Sequence, residues 1–393
     1  QDQEESYVRN TRLAYESKIS DVKTGIYVRT LPKHHHAFVF GMENVWHNFS
    51  PSNSQYFLQE NDLIYYDTVF KVRDARILEQ RYFLSDVYAK KGTKIMAGLH
   101  FVNFNNQVEY RSLQPRINVS TDIKAKNRIE AGFARTSQFM LFVPNNLLGI
   151  PIDIWIPADE NIKPMHCTHY LAGYTRKISP HLALKVNGYY KLFENIIEYK
   201  NGVADFIAEW DQALLAGKGR SKGIETMLKK EKGKLNGWLA YTLSKSERSI
   251  QSIDNGAWFP FQFDRTHDMK AVLHYQANAN LSFGGTWSYA SGNYLTAPEV
   301  HYLVTVENQQ YLIEQYGGKN NLKLPAYHRL DIGIHHKKDI GDARQTWSFT
   351  IYNVYNRQNV FYVNSSLNAS GGLSFQPVSI LPVLPSVNYA IEF

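Results

Sequence analysis

Several short runs in this sequence hold side chains that could do chemistry. Lys33–His34–His35–His36 offers three imidazoles, which when neutral suit Zn, Cu or Ni. His166, Cys167 and His169 offer mixed nitrogen and sulfur donors close in sequence. Asp264–Arg265–Thr266–His267–Asp268 sets carboxylates beside an imidazole, the pair that general acid–base hydrolysis needs. Lys229, Lys230, Lys232 and Lys234 gather cations, and Gly217–Lys218–Gly219–Arg220 mixes glycine with cations as phosphate loops do.

Spacing weakens each of these. Successive side chains of an extended chain point to opposite faces, so three consecutive histidines make a poor single site. They read instead as a solvated polar turn between two strands. On a strand, His166 and His169 fall on opposite faces and read as lumen or rim residues. No nucleophile is held against His267, so Asp264–Asp268 reads as structure. Gly217–Arg220 reads as a loop without the strand–helix context of a phosphate site, and the lysines read as a charged hairpin turn. No catalytic residue, metal site or cofactor is assigned.

What positions these residues must therefore come from the elements. The chain has 393 residues, 43 Lys+Arg against 36 Asp+Glu, 26 Tyr and a single Cys. An aromatic content of 14% excludes disorder, and one Cys excludes a disulfide scaffold. No run of about 18 apolar residues marks a membrane helix. The basic residues are scattered rather than striped, so nucleic acid is not expected as a partner. The opening QDQEESYVRN has neither the basic nor the apolar region of a signal peptide.

The dominant pattern has period two, the mark of strands. Over 181–192, Leu182, Leu184, Val186, Gly188, Tyr190 and Leu192 alternate with His181, Ala183, Lys185, Asn187, Tyr189 and Lys191. Segments 235–244, 281–290, 329–337 and 346–352 alternate likewise. Weaker strands read near 5–18, 22–32, 37–48, 76–89, 94–104, 107–120, 127–137, 166–178 and 221–229. A soluble sheet and a transmembrane barrel both give alternation. The connections separate the two. Short ones near 179–181, 230–234, 277–280 and 338–343 take turns with long ones at 137–165, 200–220, 246–263, 291–325 and 358–379. Short turns on one rim and long loops on the other are what outer-membrane barrels show. The expected fold is all-β: a transmembrane, antiparallel, up-and-down barrel with about 14–16 strands in this chain. Residues 1–393 form one unit.

The strings WIPADENIKP (155–164), SKGIETMLKKEKGKLNGWLAYTLSKSER (221–248), FPFQFDRTHDMKAVLHY (259–275), LPAYHRLDIGI (324–334) and WSFTIYNVYNRQNVFYV (347–363) occur in this order. Together they resemble the barrel of TonB-dependent outer-membrane receptors, in the class whose members often carry a carboxypeptidase-regulatory-like domain. The resemblance implies a barrel of about 22 strands, so the chain reads as a partial barrel. The family's N-terminal plug and TonB box are not in it. It also implies a Gram-negative outer-membrane location and TonB-dependent uptake of a scarce nutrient: a siderophore or other metal chelate, a cofactor, a peptide or a glycan. The implied partners are TonB–ExbB–ExbD through the plug, the barrel assembly machinery, outer-membrane lipid and a lipoprotein. The alternating Tyr389, Ile391 and terminal Phe393 resemble the barrel-assembly signal. A passive, 16-stranded porin or a structural barrel is the alternative. Within the long loops, here including 50–75, Trp155, Trp210, Trp258 and Tyr311 are the candidate substrate contacts, with Trp46 a further contact or rim anchor.

Overall fold

The computed structural model describes residues 9–60, 63–71, 74–144, 154–200, 214–306, 309–367 and 373–393. Among them a 17-stranded antiparallel sheet dominates. Its wall strands, in chain order, are β1 (Arg9–Arg29), β2 (His36–Glu60), β3 (Ala75–Lys90), β4 (Thr93–Asn106) and β5 (Val108–Ile123). There follow β6 (Asn127–Gln138), β7 (Met165–Ser179), β8 (Leu182–Tyr199), β9 (Leu214–Lys230) and β10 (Leu235–Ser249). The last are β11 (His267–Gln276), β12 (Leu281–Ala290), β13 (Tyr327–Ile340), β14 (Ala343–Tyr352) and β15 (Leu384–Glu392). Each pairs antiparallel with the next, from β1 to β15. The remaining two, Leu63–Lys71 and Phe259–Pro260, are short additions above this wall. The up-and-down topology is the one expected.

Register separates the two faces. Directly paired residues share a face, so Val28, Phe40, Leu84 and Leu99 form one row, and Ile26, Met42, Tyr82 and Phe101 the next. Most of these side chains are exposed. The intervening row, Tyr27, Gly41, Phe83 and His100, lies on the opposite face with Glu43, Arg81 and Glu79. Exposed apolar rows on one side and charged rows on the other follow from period two alone. A soluble sheet would have buried the apolar rows; a barrel presents them to lipid.

The short turns are built tightly. Lys91 and Gly92 both have positive φ, the geometry of a two-residue hairpin turn that matches strand twist. His34 and His35 do the same between paired Lys33 and His36. Both β1 and β15 run toward this short-turn rim. On the other rim the long connections carry small hairpins of their own, at 140–143 with 154–157, 300–306 with 309–315, and 362–367 with 373–378. One connection there is not long: Gln107 alone, at φ 62°, joins β4 to β5.

Three expectations are corrected. Residues 5–18 and 22–32 are not two strands; Arg9–Arg29 is one, with a bulge between Glu16 and Lys18 that leaves the ladder unbroken. The segment 50–75 is not a loop, because β2 continues to Glu60 between β1 and Leu63–Lys71, and backbone ladders on both sides sustain a stretch whose polar composition suggests a loop. Gly217–Arg220 lies inside β9, not in a loop. Gly217 is there for space: a Cβ would meet Ile250 Cγ1 and the Ser249 carbonyl oxygen, each at 2.4 Å.

Candidate functional site: the lumen wall and its mouth

The charged face carries a relay of paired groups. Lys23 meets Glu43 at 2.6 Å, and Arg81 lies 3.4 Å from Glu43 and 2.7 Å from Glu79. Glu79 is 3.3 Å from His47 Nε2, whose Nδ1 is 2.8 Å from Asp21. Cross-strand register on β1, β2 and β3 sets these side chains on one face, so long-range pairing rather than sequence proximity makes the relay. Further round, Lys185 pairs with Glu130 at 3.2 Å. Arg329 lies over the Tyr352 ring at 4.1 Å and 2.9 Å from Asp331. Such pairing fixes these polar groups on the charged face.

At the long-loop rim the connections fold onto this face. Phe139 and Ala158 pack against Phe49, Ile77, Val102 and Phe104, with the Phe104 and Phe139 rings 4.9 Å apart. Asn106 Nδ2 donates to the Ala158 carbonyl at 2.9 Å, and Tyr110 donates its hydroxyl to the Asp159 carbonyl at 2.7 Å. A second cluster joins Ile196, Ile250, Ile253 and Phe259.

Beside that cluster sits a buried ionic group. Glu198 is fully buried and pairs with Arg248. Arg248 also donates to the Ile197 carbonyl at 3.0 Å and lies 3.8 Å over the Phe261 ring. Lys319, 2% exposed, donates to the Tyr199 carbonyl at 2.9 Å. Burial pushes the Lys319 amine below its ordinary range, partly opposed by nearby Glu198. Asn320 completes the knot, accepting from the Thr296 hydroxyl at 3.2 Å and donating to the Pro260 carbonyl at 2.8 Å. Two connections, through segment 250–263 of one and segments 291–299 and 316–324 of the other, are thereby tied to the ends of β8 and β10.

The residues first singled out are scattered through this frame. The Asp264–Asp268 run is an anchor. Asp264 accepts from the Ser246 backbone N–H at 2.6 Å, and Arg265 donates to the Ser291 carbonyl at 3.3 Å. His267 pairs with the Tyr241 hydroxyl at 2.9 Å. Burial raises the Asp264 carboxyl above its ordinary range, against the Ser246 hydrogen bond. His166 and His169 do lie on opposite faces, His166 beside Ser137 at 2.7 Å and His169 in the row of Ala134 and Lys191. His34 and His35 form the turn, and His36 reaches Asp86 at 2.6 Å. Among the described residues no three His, Cys, Asp or Glu side chains converge on a metal position.

Trp155 is exposed and packs on Phe142 at 5.2 Å. Trp258 lies 4.1 Å over Arg220, on the apolar face rather than the charged one. Trp46 shares the row of Val22 and Leu78 on that apolar face. Trp210 and the Tyr311 side chain lie outside the described residues. Tyr389 and Ile391 are exposed on β15, and Tyr389 packs against Trp347 at 4.7 Å. Glu198, Arg248, Lys319 and Asn320 were missed by sequence reasoning, since no motif joins residues so far apart.

An up-and-down antiparallel wall, apolar on one face, charged on the other and with long connections folded into one mouth, defines an outer-membrane β-barrel. Residues 5–356 match the family described as TonB dependent receptor-like, beta-barrel, and the chain belongs to it. It is thus receptor-barrel wall and not an enzyme. No curated protein matches it significantly in sequence. Among solved structures it is similar to the ferric yersiniabactin uptake receptor FyuA from Yersinia pestis, at TM-score 0.63 and 12% identity over 99% of this chain and 56% of that one. The ferric citrate transporter FecA gives 0.59 and 13%, over 98% and 55%. The ferric preacinetobactin receptor BauA from Acinetobacter baumannii gives 0.58 and 12%, over 98% and 55%. The chain spans about half the length of these proteins.

Proposed function

We propose that this chain is part of the barrel of a TonB-dependent receptor in a Gram-negative outer membrane, and that the whole protein takes up a scarce nutrient through the lumen. The observation that carries this is the contrast of faces: exposed apolar rows outside, a paired charged wall inside, and connections knotted over the mouth by Glu198, Arg248 and Lys319. Strand direction supports the partial barrel. β1 and β15 run the same way, so antiparallel closure needs an odd number of further strands. About seven would give the roughly 22 of receptor barrels, and one would give the roughly 16 of a porin. The plug of this receptor is the element through which TonB–ExbB–ExbD would act, and β15 with Phe393 carries the assembly signal.

The test uses the complete natural reading frame in a Gram-negative host, with and without working TonB. A panel of labelled ferric chelates, cofactors, peptides and glycans is offered outside. Saturable, TonB-dependent accumulation of one class is expected. Equal, non-saturating entry of small solutes without TonB would establish the passive pore instead.

A further inference from the structure

Among the described residues, the apolar face bears a group of cations on β9 and β10. Register sets Arg220 in the row of Leu192 and Glu247, and Lys222 in the row of Tyr190 and Lys245. The next row toward the short-turn rim is Gly188, Ile224 and Leu243, with both large side chains exposed. Lys218 lies one row beyond Arg220 toward the long loops, opposite Glu194. All four cations therefore stand on the lipid-facing side.

Their height is set by the strand. On β10 the outward residues Leu235, Leu239 and Leu243 span about 26 Å at ~3.3 Å per residue. At a tilt near 40° that is about 20 Å of membrane, and Lys245 is one outward step higher, at the edge of an apolar band about 25 Å tall. Since β10 runs from the short-turn rim to the long-loop rim, this is the external edge.

The local charge is unbalanced. Glu247 serves two cations, Arg220 at 2.9 Å and Lys245 at 2.6 Å. Trp258 holds the Arg220 guanidinium from above. Directly below, a Cβ at Gly188 would meet nothing within 4 Å, so a shallow gap opens among Tyr190, Ile224 and Leu243. Clustered cations at the interface above an apolar gap match an anionic headgroup with an acyl chain beneath it.

We propose that Lys222, Lys245 and Arg220 bind the phosphate of a lipid headgroup in the external leaflet, with an acyl chain lying over Gly188. This rests on the reading of the exposed apolar face as lipid-facing. The whole receptor is purified from outer membranes in mild detergent, and bound phospholipid and phosphorylated glycolipid are counted by native mass spectrometry. Purified phosphorylated lipid and its dephosphorylated form are then titrated back. Wild type should retain phosphorylated lipid. Lys222→Glu/Lys245→Glu should retain at least tenfold less while still showing the heat-modifiable band of a folded barrel. Glu247→Gln, which removes the carboxylate paired with both Arg220 and Lys245, should retain more. Equal retention by the folded double variant, equal binding of the dephosphorylated lipid, or displacement by millimolar inorganic phosphate would overturn the proposal. Loss of the heat-modifiable band from wild type would instead overturn the barrel reading on which it rests.

Discussion

Removing Arg248 should loosen the mouth without dissolving the wall. Arg248→Met leaves Glu198 fully buried with no directly paired cation, because Lys319 donates to the Tyr199 carbonyl rather than to the carboxylate. Breaking a buried pair from one side costs about 3–5 kcal/mol, most of it from the stranded charge. Glu198 Oε2 already has no hydrogen-bond partner, so the protein has nothing in reserve for it. Nearby Lys319 screens part of the loss, which favours the lower figure, about 3 kcal/mol. At about 1.4 kcal/mol per decade, local opening should rise about 100-fold. Hydrogen exchange of the amides of Phe261, Asp264 and Asn320 reports it, since each is tied into the affected connections. Pairing Arg248→Met with Glu198→Gln removes both charges and should recover more than half of the loss, as apolar or neutral replacements of buried pairs do. Unchanged exchange in Arg248→Met, or a double variant whose effect is the sum of the singles, would refute the reasoning.

Other perturbations separate the wall from its mouth. Leu239→Arg, on the lipid-facing row, should destabilise the folded barrel by about 2–4 kcal/mol in urea titrations, while Asn187→Arg on the charged face should cost much less. Gly217→Ala should cost about 1–3 kcal/mol, because Ile250 and the Ser249 carbonyl must give way to the new Cβ. Asp264 has a raised carboxyl pKa in the folded state, so its contribution is fully present below the ordinary carboxylate range and falls as pH rises through the raised value. Protection of the Ser246 amide, corrected for intrinsic exchange, should decline over that interval in wild type and stay flat in Asp264→Asn. Deleting Phe393 should lower the amount of folded protein in the outer membrane several-fold, measured by fractionation and heat-modifiable mobility; an unchanged amount would remove Phe393 from the assembly signal.

Which parts of this were legible depends on the range of the interaction. Period two is a property of neighbours in sequence, so strands such as Leu182–Tyr199 and Leu281–Ala290 showed themselves through their alternation. The opposite placement of His166 and His169 follows from the same local rule. Where polar composition and backbone pairing disagree, pairing wins: residues 50–60 look like loop and lie between two strands. The mouth was invisible for another reason. Glu198, Arg248 and Lys319 are brought together by register and loop return, and no short string contains them. Trp258 stands out in the sequence by its residue type, yet only the register of β9 tells that it sits over Arg220 on the apolar face.

The strict neighbour-to-neighbour order of β1 to β15 has a kinetic consequence. Each strand needs only the one before it, so the wall can lengthen by a series of hairpin additions with short sequence separation. Contacts of that kind form quickly, and a defect at one turn delays only the strands after it. Closing the cylinder is different in kind, because its two edges are the most distant partners along the chain. Even so, the entropy of joining them grows only as the logarithm of the intervening length, about 0.6 kcal/mol per doubling. The last seam of such a wall therefore differs from the others in the length of chain it closes, and only modestly in what that closure costs.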